Sequence, residues 1–304
     1  MKHTLSVTAV LVTFFLIIQV FGLYTIQRYD STIINEQGAI EVVHQDTVFG
    51  EQPEIQDKSY SFLPVILMIL IGTVIILLLI RYKMGSMWKF GFVAAVFFAM
   101  AVTLGVYVNF SIAVIIAILF AWLKVFRPNI FVHNLTEILI YPGITIVLIP
   151  ILNTISVIIL LLLISVYDFY AVRQSKHMIK LAEFQTNSKA FAGLFIPYKA
   201  NQIMKSQKVK AEKTQVKKDD TGKTAILGGG DIAFPLIFSA VVYEGFLMNG
   251  YLPGKAFLIT SIIILTSTLA LTYLFIRSEK GRYYPAMPYI TVGCLIGYGI
   301  TLLF

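Results

Sequence analysis

The sequence has few charged residues and a single cysteine. Charged side chains make up 13% of its 304 residues, about half of the roughly 25% that is usual in soluble domains. Hydrophobic residues make up 58%, and the mean hydropathy is +0.81. This composition excludes a disordered chain and argues strongly against a soluble enzyme. Cys294 alone can form neither an intramolecular disulfide nor a cysteine-rich zinc site.

Histidine is scarce as well, with four in the chain. All four are predicted to lie in loops or at the edges of apolar stretches: His3, His44, His133 and His177. A zinc protease needs a His-Glu-x-x-His helix, and a rhomboid-type serine protease needs a histidine within the membrane. Both classes are therefore disfavoured. We predict neither metal-ligating residues nor a cofactor.

Long apolar runs, in contrast, are abundant. A helix needs about 20 mainly apolar residues to cross the hydrocarbon core of a bilayer. Nine stretches approach this length, and tight turns separate several of them. The sequence therefore predicts an all-α polytopic integral protein of the cell membrane, with nine transmembrane helices at about 5–26, 62–80, 89–108, 110–123, 135–151, 154–172, 224–248, 256–276 and 286–304.

The loop charges predict how these spans are oriented. Lys and Arg accumulate in cytoplasmic loops of membrane proteins. With a cytoplasmic N-terminus, the inside segments carry 21 of the 24 basic residues, including Lys124. The first outside loop, roughly 27–61, holds seven acidic residues. We therefore predict that the N-terminus is cytoplasmic and the C-terminus is outside.

The net charge of +8 originates in one loop. Residues 173–223 contain twelve basic and four acidic residues, and the rest of the chain is balanced. This distribution indicates no nucleic-acid partner and predicts a largely flexible loop near the anionic heads of the lipid bilayer. We divide the chain into an N-terminal block of six spans (1–175), a basic cytoplasmic loop (176–223) and a C-terminal block of three spans (224–304).

Four acidic residues lie within or beside the predicted spans. An ionisable residue at the centre of a span costs about 2.5–3.5 kcal/mol, so each needs a reason to be there. Glu137 has capping-box spacing from Asn134 at the predicted start of span five. Glu244 is near the outer end of span seven, within about two turns of Asn249, and we expect its side chain to snorkel towards water.

The remaining two acids, Asp168 and Asp231, lie on neighbouring spans near the cytoplasmic face. Asp168 is five residues before Arg173, or about 7.5 Å along a helix, and Asp231 is eight residues after Lys223, or about 12 Å. Two antiparallel helices would therefore hold the two carboxyl groups at similar depth. Position alone gives comparable weight to helix packing, a proton relay and catalysis.

The residues around Asp231 indicate an irregular backbone. Gly228, Gly229 and Gly230 precede it, and each glycine within a helix costs about 1 kcal/mol relative to alanine. Pro235 lacks the N–H that would bond to the Asp231 carbonyl. Such backbone is tolerated in a membrane only where it is buried in protein or lines a water cavity. We therefore predict a break in the helix at a hydrated point beside Asp231.

Three short motifs resemble those of the presenilin and signal peptide peptidase family. Tyr167-Asp168 resembles its YD motif, Gly228-Gly229-Gly230-Asp231 its GxGD motif, and Pro285-Ala286-Met287-Pro288 its PAL motif. Each motif alone is weak, but the three occur in order, each in the expected span. The likeness extends over the whole chain and is closest to archaeal presenilin homologues. Met287 replaces the usual leucine, a nearly volume-conserving change.

The resemblance implies an intramembrane aspartyl protease with Asp168 and Asp231 as the catalytic pair. It assigns supporting roles to Tyr167 and Gly228–Gly230, and substrate binding to Pro285–Pro288. The implied substrates are transmembrane helices of other membrane proteins, and the sequence requires no accessory subunit. The alternative is a transporter or channel that uses the two aspartates as a proton or cation relay. The motif at 285–288 favours the protease, because a relay does not require it.

The resemblance also implies how a substrate is bound and oriented. A substrate helix must unwind, because its carbonyls are engaged in i→i−4 hydrogen bonds. The region 285–288 is expected to pair with the unwound strand, and residues 190–198, or those just before Gly228, to supply a second strand by β-augmentation. Span seven is predicted to run from inside to outside, as in presenilin. We therefore predict substrates whose N-terminus is outside.

Overall fold

The computed structural model describes residues 5–34, 40–52, 58, 60–82, 84–127, 129–172, 190–197, 224–279 and 284–304. Most of the basic loop predicted at 176–223 therefore lies outside the described residues, as do His3 and His177. The described residues are mainly helical, which agrees with the predicted helical membrane protein. The predicted all-α fold is incorrect in one respect, because two short two-stranded β-sheets accompany the helices.

The described part of the chain contains nine α-helices. They are α1 (Leu5–Tyr29), α2 (Phe62–Arg81), α3 (Gly85–Gly105), α4 (Phe110–Phe126), α5 (Ile130–Leu148), α6 (Thr154–Tyr170), α7 (Gly229–Met248), α8 (Pro253–Arg277) and α9 (Met287–Thr301), with a 3₁₀ turn at Ile149–Ile151. Six are long and apolar enough to cross a membrane, the α5 span extending into that turn. Helices α4, α6 and α9 are shorter, with 17, 17 and 15 residues.

Asparagine side chains set the starts of three consecutive helices. Asn109 caps α4, Asn129 caps α5 and Asn153 caps α6, each through a side-chain oxygen that accepts a backbone N–H of the first turn. Such caps satisfy donors that have no partner within the helix. The capping box predicted from Asn134 and Glu137 is therefore wrong, because α5 already begins at Ile130.

Two antiparallel pairs of strands lie outside the helices, and the first of them is a hairpin. Strand β1 (Asp30–Ile34) pairs with β2 (Ile40–His44), and β3 (Gly193–Pro197) pairs with β4 (Thr224–Gly228). The seventh span was predicted to begin at 224, but its helix begins at Gly229. The apolar residues before Gly228 instead bond to β3, whose residues lie in the segment that was predicted to act as a strand.

Helix α7 lies at the centre of the helical assembly. It packs against α1, α5, α6, α8 and α9, and most of its length is buried, whereas Val65 is the one buried residue of α2. Helices α8 and α9 approach closely at Gly293 and Gly297. A Cβ atom at these positions would lie 2.8 and 2.7 Å from the Cα atoms of Ser267 and Ile263, too close for any side chain.

Candidate active site

Asp168 lies in the last turn of α6 and bonds to the start of α9. Its side chain is 6% exposed, and its Oδ2 atom accepts the backbone N–H of Met287 at 3.1 Å. A second contact joins the same helices, because the hydroxyls of Ser165 and Thr291 are 2.6 Å apart. These contacts fix the carboxyl of Asp168 against the segment that carries Pro285–Pro288.

Asp231 is the third residue of α7. Gly228 is the N-cap, with extended backbone, so Asp231 lies in the first turn of the helix. The helix break predicted beside Asp231 is therefore the N-terminus of α7. The depth predicted for Asp231 assumed that residues 224–231 are all helical, which is wrong because 224–228 form β4. A Cβ at Gly228 would lie 3.2 Å from the Asp231 Oδ2 atom, so a larger residue would crowd the carboxylate.

The fold brings the two aspartates together. Helices α6 and α7 pack against each other, and the Asp231 carboxyl lies within electrostatic range of the Asp168 carboxyl. Of the segment 285–288, Pro285, Ala286 and Met287 are buried, and Met287 begins α9. Tyr167 lines a small apolar cavity with residues of α2 such as Ile66.

A buried polar chain that the sequence did not reveal approaches the start of α7. Lys124, 2% exposed, donates to Glu137 Oε1 at 2.6 Å and to Thr136 Oγ1 at 2.9 Å. The hydroxyl of Tyr141 donates to the other oxygen of Glu137. A Cβ at Gly229 would lie 3.2 Å from that hydroxyl. The sequence predicts Lys124 in a cytoplasmic loop, whereas it lies in the last turn of α4. Its position at the end of an apolar run is the one sequence feature that could have indicated a buried lysine.

Side chains of α5 hold the β3–β4 sheet beside this site. Asn134 donates to the Phe195 carbonyl at 3.0 Å and accepts the Phe195 N–H at 3.1 Å. His133 Nε2 is 2.8 Å from the Gly193 carbonyl oxygen. Asn134 therefore satisfies the backbone of β3 as a neighbouring strand would, and β4 leads directly into α7 and Asp231.

The structure overturns the expectation for Glu244. Its side chain was predicted to snorkel to water, but the residue is 3% exposed. Glu244 Oε1 lies 3.6 Å from His44 Nε2, and His44 Nδ1 lies 3.0 Å from Asp30 Oδ1. The first hairpin folds over the end of α7 and encloses the carboxyl, a contact between residues 200 positions apart that no local pattern indicates.

Comparisons with known proteins bear on the family and the fold of the chain. A family model described as "Signal-peptide peptidase, presenilin aspartyl protease" matches residues 31–304. Two solved structures of a presenilin family intramembrane aspartate protease are similar in fold. The C222 crystal form has a TM-score of 0.52 at 18% identity and covers 96% of this chain and 94% of its own. The P2 form has a TM-score of 0.54 at 19% identity, with 96% of each chain covered. No curated protein sequence matches significantly.

Proposed function

This chain belongs to the signal-peptide peptidase and presenilin family of aspartyl proteases, and from that membership we propose that Asp168 and Asp231 are its catalytic pair. The family predicted from the three motifs is thereby confirmed, and the chain is an integral membrane protein and an intramembrane aspartate protease. One observation supports the pair above all. Helices α6 and α7 bring the buried side chain of Asp168 and the half-buried side chain of Asp231 into electrostatic range beside the buried segment 285–287.

The chemistry follows from two carboxyls that share one proton. Close carboxylates cannot both ionise cheaply, so one is ionised and its partner protonated. The ionised group takes a proton from water as the water oxygen attacks the scissile carbonyl carbon, and the protonated group donates to the carbonyl oxygen. A tetrahedral gem-diol forms. Its collapse breaks the C–N bond as a proton passes to the leaving nitrogen. The two macroscopic titrations belong to the pair, so the rate should have a bell-shaped dependence on pH.

The residues around the pair have distinct proposed roles. The Met287 N–H bonds to Asp168 and thereby orients its carboxyl. Gly228 leaves room beside the Asp231 carboxyl, and Gly229 lets α7 begin close to Tyr141. A Cβ at Gly230 would lie 3.5 Å from Phe234, an ordinary contact, so its proposed role is limited to the backbone of the motif. Pro285–Pro288 line the substrate path. Tyr167 has a packing role, because it lies against α2.

The substrate is proposed to be an unwound transmembrane helix that adds a strand to β4. In the β3–β4 ladder, Phe195 lies opposite Ile226. The N–H and C=O of Phe195 bond to Asn134 and so point away from β4. Opposite residues of an antiparallel pair share this orientation, so the N–H and C=O of Ile226 point away from β3. Ile226 is 39% exposed, and its backbone offers an open edge for β-augmentation.

The topology completes the proposal. All nine helices are proposed to span the bilayer of the cell membrane, six in an N-terminal block (1–175) and three in a C-terminal block (224–304), with 176–223 as a cytoplasmic loop. The three short helices can cross if the bilayer thins around them. The proposed reaction requires no accessory subunit, because the chain's own two aspartates complete the chemistry.

A cleavage assay with matched variants tests the catalytic pair. The purified protein in detergent or liposomes is mixed with a transmembrane reporter, and fragments are identified by mass spectrometry. Asp168→Asn and Asp231→Asn should each reduce cleavage to background, because asparagine can neither take up nor share the proton. Asp46→Asn, the same change at an exposed loop position, should leave the rate unchanged.

Two outcomes would contradict the assignment. One is cleavage by either site variant at a rate near that of wild type. The other is a wild-type protein that cuts no reporter yet moves protons in liposomes, which would favour the transporter alternative. A hydroxyl-containing transition-state mimic should block wild-type cleavage.

A further inference from the structure

Three metal-binding side chains meet at the end of α7 opposite Asp231. Asp30 begins β1, His44 ends β2, and the two lie opposite each other in the hairpin register. Glu244 reaches them from the penultimate turn of α7. One ligand atom from each residue can be chosen so that all lie within 4.8 Å of one another. The cluster is separate from the proposed catalytic pair.

The carboxyl groups of this cluster are enclosed and incompletely bonded. Asp30 is 9% and Glu244 3% exposed. Asp30 Oδ2 and Glu244 Oε1 have no hydrogen-bond partner among the described residues, and the hydroxyl of Tyr29 beside them has none either. A buried polar atom without a partner destabilises the fold, and more so when it is charged. Two such oxygens in one cluster indicate that a further group satisfies them.

The surroundings favour a cation as that group. Two carboxylates face one imidazole, whose ring is covered by the ring of Tyr29 with 5.6 Å between centroids. The Lys58 ammonium also lies within electrostatic range of Glu244, but it leaves the orphan oxygen of Asp30 without a partner. A divalent ion bound to all three side chains would bond to both orphan oxygens at once and balance their charge.

We propose that Asp30, His44 and Glu244 bind a divalent transition-metal ion, with zinc as the best match. An imidazole nitrogen suits zinc and its neighbours in the transition series, whereas calcium and magnesium prefer oxygen ligands alone. Zinc–nitrogen and zinc–oxygen bonds of about 2.1 Å place tetrahedral ligands about 3.4 Å apart. The ligand atoms, which lie within 4.8 Å of one another, would reach that spacing by side-chain rotation, and a water would complete four ligands.

The ion would fasten the first hairpin to the catalytic half of the protein. Asp30 and His44 come from the segment between α1 and α2, and Glu244 comes from the helix that begins with Asp231. The sequence predicted no metal ligands because the three residues stand 14 and 200 positions apart and form no spacing motif. Only the fold of the hairpin over α7 brings them together.

Metal analysis of the full chain tests the site. The protein is purified in detergent with a tag that contains no histidine, stripped with a chelator, dialysed against Zn²⁺ and then against buffer. Bound zinc is measured by plasma mass spectrometry, and unfolding by differential scanning fluorimetry. Wild type and Asp46→Asn should retain about one zinc per chain and gain thermal stability with Zn²⁺. His44→Ala and Glu244→Gln should retain less than a tenth of that zinc, and Zn²⁺ should not raise their thermal stability.

A spectroscopic arm keeps the test decisive if a variant folds poorly. Wild-type protein loaded with Co²⁺ should show the visible d–d absorption of a four-coordinate site, and Zn²⁺ should displace it. His44→Cys should add a sulfur-to-cobalt charge-transfer band, because the thiolate then binds the metal directly. The proposal is overturned if wild type retains no more zinc than His44→Ala, if Asp46→Asn loses zinc as the site variants do, or if Co²⁺ gives only the weak absorption of the hydrated ion.

Discussion

At the scale of single residues, the buried ion pair of Lys124 and Glu137 is the interaction whose loss should destabilise the protein most. Both side chains are enclosed, at 2% and 0% exposure, and they are 2.6 Å apart. Removing one partner of such a pair leaves a charge without compensation in a medium of low dielectric, which costs about 3–5 kcal/mol. The hydroxyl of Tyr141 shares Glu137, so this pair also supports the contact between α5 and the start of α7.

We expect Lys124→Met to lower the free energy of unfolding by about 3–5 kcal/mol. Combining it with Glu137→Gln should restore part of this loss, because the double variant no longer buries an unpaired charge. Lys255→Met is the matched control at an exposed position. It removes a cation–π contact with Tyr251 and should therefore change stability by at most about 1 kcal/mol. Thermal and denaturant unfolding in one detergent measures all four proteins. A double variant less stable than Lys124→Met would contradict the pairing.

Residue types revealed some of these positions and concealed others. Asp168 and Asp231 could be selected from sequence, because a carboxyl in an apolar span is costly wherever it occurs and two such residues were left unexplained. Lys124 stood at the edge of an apolar run, where a loop and a buried helical position look the same. The partners of Glu244 could not be identified, because an ion pair across 200 residues leaves no local pattern.

At the scale of elements, β4 connects the fold to the proposed reaction. Its inner edge bonds to β3, and β3 is held in turn by Asn134. Its outer edge carries the N–H and C=O of Ile226, which are the groups an incoming strand needs. Because β4 runs into the first turn of α7, a strand added at this edge would be aligned beside Asp231.

We expect Ile226→Pro to reduce kcat/KM for a transmembrane reporter by about two- to tenfold, the equivalent of one hydrogen bond worth about 0.5–1.5 kcal/mol. Proline lacks the N–H that a substrate carbonyl would accept, and it is tolerated at strand edges. Ile226→Val keeps the N–H and should cleave like wild type. Equal rates for the two variants, with unchanged unfolding temperatures, would show that the substrate does not pair here.

The strands mark the limit of inference from apolar patterns. Residues 224–228 are Thr-Ala-Ile-Leu-Gly, a short apolar run that fits a buried strand as well as the start of a helix. The apolar pattern predicts that the seventh span begins at 224, but the helix begins five residues later because the run pairs with β3. The first hairpin was likewise missed, since its strands contain Glu41 and His44 among apolar residues and resemble a polar loop.

At the scale of the whole molecule, the orientation in the membrane decides which substrates fit. In the proposed topology, with a cytoplasmic N-terminus and nine spans, α7 would run from inside to outside and Asp231 would lie near its cytoplasmic end. Lys124 no longer counts among the loop charges, because its ammonium is buried against Glu137. Twenty of the remaining basic residues still lie in the predicted inside segments, so the charge argument for this orientation stands.

An extended strand that pairs with β4 must run in a fixed direction through the site, so the enzyme should distinguish substrates by orientation. We expect a reporter whose N-terminus is outside to be cleaved faster than one carrying the same transmembrane segment inverted. Both reporters are reconstituted with the enzyme in liposomes, and protease protection establishes the orientation of each protein. Asp231→Asn gives the background for both. Faster cleavage of the inverted reporter by correctly oriented enzyme would mean that α7 crosses the membrane in the opposite direction, or that the substrate strand adds in the opposite sense.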